Sequence, residues 1–397
     1  DIYVEDNAYF MDKPDELEKI QDKFIALTEG FSFTELNGLR KLCKNEGIHM
    51  NKMCDVIDLY KYGIKENPWD AIERGQIENA EQEIKRRVKG QDLAVQKSIS
   101  VIKRAKTGLS GLQHSSNSKP KGILFFAGPT GTGKTELAKS LAELLFGDES
   151  ACRRFDMSEY AESHSAQKLF GAPPGYVGYE AGGQLTNVIK EHPFSLLLFD
   201  EIEKASPSIW DKFLQILEDG RMTDGQGNTV YFSESLIVFT SNLGIYKDIG
   251  GVKTRVVDIN MPYEQVESTV TEGIQDYFHQ KGKPEVLNRI GKNLIVFNFI
   301  QPDAAKEIMK SQINKICGKI KETKAITIQL SENVWKKIEE KVLGNLEEGG
   351  RGVGNVVEEY FITPLSNYVF DKHIEKGSVV QIMDISETDG IAKLICG

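Results

Sequence analysis

The residues best suited to chemistry lie in Gly128-Pro129-Thr130-Gly131-Thr132-Gly133-Lys134-Thr135. The spacing Gly-x-x-x-x-Gly-Lys-Thr is that of a phosphate-binding loop. Its glycines let the chain curl until successive backbone N–H groups face one anion, and the helix that follows adds its positive N-terminal end. Lys134 is placed to reach the β- and γ-phosphates of a nucleotide and Thr135 to ligate Mg²⁺. Two acids, Asp200 and Glu201, close the apolar run Leu196-Leu197-Leu198-Phe199. Such an ending is common at any strand that meets a solvated turn. Downstream of a complete phosphate loop it is what a nucleoside triphosphatase needs: Asp200 to hold Mg²⁺ through water, Glu201 to orient and deprotonate the attacking water. A further apolar run ends in Thr240-Ser241-Asn242. From there Asn242 either reaches the γ-phosphate or the water, or simply closes a turn.

These residues need a scaffold that brings distant stretches together. Ile123 to Ala127, Leu196 to Phe199 and Leu236 to Thr240 read as short strands, Thr135 to Phe146 reads as a helix, and Phe155-Asp156-Met157 lies between that helix and the second strand. Wholly apolar strands separated by amphipathic helices predict a parallel sheet covered on both faces, with ligands gathered at the carboxyl ends of the strands. Before this core, Ser32 and Glu35 form a capping box, and Leu36, Leu39 and Cys43 recur at helical spacing until Gly47. Met53, Val56, Ile57 and Tyr60 mark a second helix, stopped by Gly63 and Pro68. Glu78 to Val88 and Asp92 to Ala105 read as helices, and Gly108 to Pro120 as a polar loop. After the core, Val353, Val356, Val357, Tyr360 and Phe361 share a helical face. Ala325 to Leu330 and Val379 to Ile385 alternate as strands of a small sheet.

With 397 residues, 27% charged and 40% hydrophobic, the chain has room for two or three domains of ordinary soluble composition. A formal net charge of −10 disfavours a nucleic-acid partner. The five cysteines are scattered without a Cys-x-x-Cys pair, which fits a reducing cytoplasm and offers no zinc site. No signal peptide or long apolar span is visible, so no membrane partner is expected. The chain opens at Asp1 without methionine, which reads as part of something longer.

Five stretches are more specific than a phosphate loop alone: Gly-Pro-Thr-Gly-Thr-Gly-Lys-Thr-Glu-Leu-Ala-Lys (128–139), Gly-Ala-Pro-Pro-Gly-Tyr-Val-Gly-Tyr-Glu (171–180), Leu-Phe-Asp-Glu-Ile-Glu-Lys-Ala (198–205), Asp-Gly-Arg-Met-Thr-Asp-Gly-Gln-Gly (219–227) and Thr-Ser-Asn-Leu-Gly (240–244). In order and spacing they resemble the second ATPase module of Clp-family AAA+ protein unfoldases and disaggregases, over roughly residues 85–397. The resemblance implies an α/β fold: an AAA+ P-loop NTPase whose parallel sheet is covered by helices, with a small C-terminal α+β lid. It also implies ATP or ADP with Mg²⁺ as ligands, a homo-hexamer with ATP between subunits, and unfolded or aggregated polypeptide threaded through a central pore. Residues 1–67, with Thr-Glu-Gly-Phe-Ser at 28–32 and Leu-Arg-Lys-Leu-Cys at 39–43, resemble the helical lid of a preceding module. The expected division is then this lid, a connector over 68–90, the large ATPase subdomain over 91–300 and the small subdomain over 301–397.

Residue by residue, the resemblance makes Pro129, Thr130, Gly131, Thr132, Gly133, Lys134, Thr135 and Glu136 the phosphate cradle, and Thr135 with Asp200 the Mg²⁺ ligands. Glu201 becomes the base and Asn242 the first nucleotide sensor. Arg289, in Pro-Glu-Val-Leu-Asn-Arg-Ile (284–290), matches the arginine finger that acts on a neighbour. Arg351 matches the sensor arginine of the lid, although this chain has Gly-Arg-Gly where the family usually has Ala-Arg-Pro. Adenine is expected near Val88, Gly90 and Gln91. Gly175-Tyr176-Val177-Gly178, an aromatic between glycines, fits the loop that grips polypeptide in the pore. Ile249-Gly250-Gly251 lacks the apolar third residue of the tripeptide that docks a peptidase, so no peptidase partner is expected. The alternative function is a nucleotide-gated scaffold or a nucleic-acid-remodelling ATPase of the same superfamily, but no basic pore loop is evident.

Overall fold

Apolar runs without polar alternation must be covered on both faces. The computed structural model describes residues 14–28, 31–46, 53–63, 67–108, 119–162, 164–176, 178–388 and 390–397, and it buries those runs in one sheet. In chain order the strands are β1 (Gly122–Ala127), β2 (Cys152–Asp156), β3 (Leu196–Asp200), a hairpin of β4 (Arg221–Thr223) and β5 (Thr229–Tyr231), β6 (Leu236–Ser241), a second hairpin of β7 (Tyr246–Ile249) and β8 (Val252–Arg255), and β9 (Leu294–Val296). The large sheet has the order β2-β3-β6-β1-β9, and every pairing in it is parallel. All residues of β3 and β6 are buried.

One face of the sheet packs Phe125, Phe199 and Phe239 against Trp210 and Phe213 of the helix Pro207–Asp219. Phe199 stacks on Phe239 at 5.5 Å between centroids and meets Phe213 edge-on at 4.6 Å, geometries that aromatic quadrupoles favour. The other face packs Leu124, Phe126, Leu198 and Val238 against the helices Arg74–Arg87, Asp92–Lys106 and Lys134–Phe146. Because β3, β6 and β1 are neighbours, their carboxyl ends lie side by side. The register pairs Ala127 with Ser241 and Phe199 with Phe239. This places Gly128, Asp200 and Asn242 together, as expected of an open α/β sheet.

The C-terminal part has its own core. Its sheet has the order β10 (Thr327–Leu330), β11 (Val379–Thr388), β12 (Ile391–Cys396), with β10–β11 parallel and β11–β12 antiparallel. The helices Pro302–Lys324, Glu332–Leu343, Gly349–Val357 and Thr363–Asp371 cover it. Val353, Val356, Val357 and Phe361 are buried as the periodicity predicts, and a π-helical turn at Glu358–Ile362 joins the last two helices.

At the other end, the helices Pro14–Leu27, Phe33–Glu46 and Met53–Tyr62 bury Leu39, Cys43, Val56 and Ile57. The capping box is formed: Ser32 N–H donates to Glu35 Oε2 (2.7 Å) and Glu35 N–H to Ser32 Oγ (3.2 Å). This unit sits on the first hairpin. Tyr231 Oη donates to Glu35 Oε1 (3.1 Å), and Lys61 Nζ lies 5.0 Å above the Tyr231 ring. Gly47 and most of the expected 108–120 loop lie outside the described residues. Among the described residues, no helix is long and apolar enough to cross a membrane.

Candidate active site

The phosphate loop leaves β1 at Gly128 and enters the helix Lys134–Phe146. Gly131 sits at φ +76°, and a Cβ there would lie 2.3 Å from the carbonyl oxygen of Glu348, so neither its conformation nor its packing admits a side chain. Lys134 Nζ donates to the carbonyls of Gly128 (2.7 Å) and Pro129 (2.8 Å) and to Asn242 Oδ1 (3.0 Å). Thr132 Oγ1 donates to the same Pro129 carbonyl (2.8 Å). Lys134 is 9% exposed. Burial pushes its ammonium down to about 8, against the favourable charges of Glu203, Asp200 and Glu201.

Both oxygens of Asp200 are engaged. Oδ1 accepts from Thr240 Oγ1, and Oδ2 accepts from Arg154 Nε (2.8 Å) and from the Arg154 NH2 nitrogen (2.7 Å). Glu201 follows at φ 57°, in the left-handed region, which is costly for a residue with a side chain. Its N–H donates to Thr240 Oγ1 (3.1 Å) and its Oε2 is paired with Lys204. Asn242 is tied on its main-chain side, where its N–H donates to Glu203 Oε1 (3.0 Å).

Lys134, Arg154, Asp200, Glu201, Thr240 and Asn242 line one cleft of about 730 Å³, together with Thr130, Thr135, Glu136, Val88 and, from the C-terminal part, Ile300, Ile308 and Arg351. Val88 and the two isoleucines give it an apolar end. Lys134, Asp200, Glu201 and Asn242 give it a charged one. A neighbouring cavity of about 810 Å³ between the lid and Tyr246 shares Thr130, Gln312, Lys315 and Arg351 but none of the acids at the ends of the core strands, so the first is the candidate site. The lid is fastened to the loop through its backbone: Gly350 N–H donates to Gly131 O (2.7 Å). Thr135 and Asp200 offer a hydroxyl and a carboxylate, hard oxygen donors that suit Mg²⁺ shared with phosphate oxygens. Among the described residues there is no cluster of three or more His, Cys, Asp or Glu able to hold a metal unaided.

Some expected residues lie elsewhere. Gly90 and Gln91 do not line the cleft. Gln91 is buried, and its carboxamide clamps the backbone of Asn298, donating to its carbonyl (2.9 Å) and accepting from its N–H (3.0 Å). Arg289 is also away from the cleft, giving two hydrogen bonds to Glu218 Oε1 (3.0 and 2.6 Å). Tyr176 is 62% exposed between Gly175 (φ 87°) and Gly178 (φ 92°). Val177 lies outside the described residues. Gln226, in the turn of the first hairpin, donates to the carbonyls of Tyr179 (3.0 Å) and Glu180 (3.3 Å), which ties that loop to the hairpin. Ile249 and Gly250-Gly251 form the tip of the second hairpin, with Ile249 58% exposed.

Three residues at the reacting end carry no role that the sequence alone assigns: Arg154, Glu203 and Thr240. For Arg154 a signal exists, a cation two residues before Asp156 at the end of a strand. Thr240 and Glu203 look in sequence like ordinary strand-end and turn residues.

Residues 119–293 match the family described as AAA domain (Cdc48 subfamily). Residues 300–382 match the C-terminal, D2-small domain, of ClpB protein. A probable chaperone protein ClpB 1 from Chlorobaculum tepidum is 37% identical over 347 residues, which cover 86% of this chain and 75% of that protein. The chain belongs to the ClpB chaperone family. Chaperone protein ClpB of Prochlorococcus marinus is 35% identical over 369 residues, 92% of this chain and 40% of the relative. That of Agrobacterium fabrum is 39% identical over 318 residues, 79% of this chain and 34% of the relative. The chain thus spans 40% or less of the length of these two longer ClpB proteins. Its AAA domain makes it an ATPase, and nucleotide binding comes with that class.

Proposed function

We propose that this chain is the ATP-hydrolysing motor module of a cytoplasmic protein disaggregase, acting as a homo-hexamer that threads unfolded or aggregated polypeptide through a central pore. The observation that carries the catalytic half is the convergence of Lys134, Thr135, Asp200, Glu201, Asn242 and the lid's Arg351 on one cleft. In this reading Lys134 and the loop amides of residues 130–136 take the phosphates, with Pro129 shaping the loop, and Val88 with Ile300 and Ile308 takes the base. Mg²⁺, bound by Thr135 and Asp200, would neutralise charge on the phosphates. Glu201 receives the proton of the attacking water on its carboxylate, and Asn242 holds that water or the γ-phosphate in line. Arg351 lends its fixed charge to the phosphoryl group from the lid, and Arg289 lends its own to the cleft of the next subunit.

The observation that favours a polypeptide client is Tyr176, an exposed ring on a glycine-flanked loop anchored at its base. It offers a broad apolar face with a polar tip to side chains of any kind. Tyr176→Ala in the assembled protein is expected to keep nucleotide affinity and basal ATP turnover but to abolish ATP-driven unfolding of a tagged fluorescent protein. Tyr176→Phe should retain most unfolding. An alanine variant that unfolds the substrate at the wild-type rate would remove threading from the reading.

A further inference from the structure

The charges of Glu203, Asp200 and Glu201 all favour the Lys134 ammonium, and two of these carboxylates are already paired with other cations: Asp200 with Arg154 and Glu201 with Lys204. Among the described residues no cation is paired with the third, Glu203. Its Oε1 accepts the main-chain N–H of Asn242 at 3.0 Å. Its Oε2 is buried without a hydrogen-bond partner among the described residues. Its own carbonyl accepts from Tyr277 Oη (3.3 Å), which ties it to the helix Tyr263–Gln280. A carboxylate oxygen buried without a partner is destabilising, so a turn residue that only needed to close a 3₁₀ turn would be better served by an apolar or exposed side chain. What Glu203 does hold is the residue whose carboxamide oxygen, in turn, accepts from Lys134 Nζ at 3.0 Å.

We propose that Glu203 is a positioning residue of the ATPase reaction. It fixes the main chain of Asn242 from the turn after β3, and so aims the Asn242 carboxamide between Lys134 and the reacting phosphate. This ties the turn that carries Glu201 to the end of β6 by one side chain, so that the base and the sensor keep one geometry. The proposal rests on the reading of Asn242 as a group that touches the reacting atoms.

Reach and charge can be separated. Glu203→Gln keeps an oxygen at the right distance for the Asn242 N–H and removes the charge. Glu203→Asp keeps the charge and shortens the arm by one methylene. In the assembled protein, steady-state ATP hydrolysis and ADP affinity are measured for both, beside Asn242→Ala. The expected result is that Glu203→Asp loses kcat by about 10–100-fold, the range known for groups that orient a first ligand from behind, with KM and ADP affinity little changed. Glu203→Gln should recover most of the turnover. Turnover of Glu203→Asp equal to or above that of Glu203→Gln would overturn the positioning role. Asn242→Ala turning over at the wild-type rate would instead sink the underlying reading of Asn242, whichever way the Glu203 pair behaves.

Discussion

Lys134 is a cation held inside the protein by two carbonyls and a carboxamide, and its burial has a measurable consequence for stability. Its folded value is about 8 against an ordinary 10.5. Between those values the unfolded chain keeps a proton that the folded chain has released, so stability rises with pH across that window. Below about 8 both states carry the charge and the cost of burying it is present in full. Other groups titrate in the same range, so the informative quantity is the difference from Lys134→Met. In the absence of nucleotide, wild type should gain on that variant as pH rises from 8 to 10.5, by up to roughly 3 kcal/mol, read from urea unfolding at each pH. A difference that stays flat would mean the ammonium is not buried in solution. Glu201 carries a different strain. Its φ of 57° costs on the order of 1 kcal/mol in a residue with a Cβ, and glycine adopts that conformation freely. Glu201→Gly should therefore be more stable to urea than Glu201→Gln by about that amount, while both bind ATP and hydrolyse it slowly. Equal stability would show that the turn relaxes in solution.

At the scale of elements, one side of the cleft is formed by a lid whose first helical turn touches the phosphate loop through its backbone. Gly349 sits at φ +59°, and a Cβ there would lie 2.8 Å from the carbonyl oxygen of Gly131. Glycine at 349 and 350 is what lets the lid helix approach closely enough for the 2.7 Å hydrogen bond to Gly131. Gly349→Ala changes none of the groups assigned to the nucleotide, yet it should push the lid from the loop. A loss of about 1 kcal/mol, roughly fivefold in Kd for fluorescent ADP, is the expected scale; an unchanged Kd would mean that lid and loop move independently. Close approach of this kind, set by two stretches more than two hundred residues apart, is not legible in sequence. The strands that lead to Gly128, Asp200 and Asn242 are legible, because each is a short apolar run that stops at a glycine or a polar residue, and a run that short and apolar between turn residues is stable mainly as a covered strand. β9 is not, since Leu294-Ile295-Val296 is three residues long and gains its place only by pairing with β1. The two hairpins give no comparable signal, being short and partly polar. The resemblance puts Gln91 near adenine, and sequence gives no sign that its carboxamide also holds the backbone of Asn298, more than two hundred residues away along the chain. Pairings over that distance leave no periodic trace.

On the scale of the whole molecule, the arrangement of charges argues for more than one copy. The cleft holds Glu201, Asn242 and Arg351, the residues proposed as base, sensor and lid arginine, but Arg289 stands outside it, held by Glu218. Among the described residues Glu218, a partly exposed carboxylate, is the one acid paired with Arg289, and a pair of that kind holds a guanidinium only weakly, so a stronger anion on an adjoining subunit could capture it. Arg289→Ala should then bind ATP as wild type does and hydrolyse it poorly, with a loss approaching the roughly 10³–10⁵-fold effect of arginine fingers in other phosphoryl-transfer enzymes. The decisive form of the experiment mixes that variant with Lys134→Ala, which cannot hold phosphate but still carries Arg289. In a mixed ring some intact clefts of the first variant face an intact Arg289 of the second, so turnover should reappear on mixing although neither protein is active alone. Mass spectrometry of the intact assemblies establishes that mixed rings have formed. If they have and turnover stays at the level of the separate variants, Arg289 does not complete a neighbour's site, and its pairing with Glu218 is simply part of the surface.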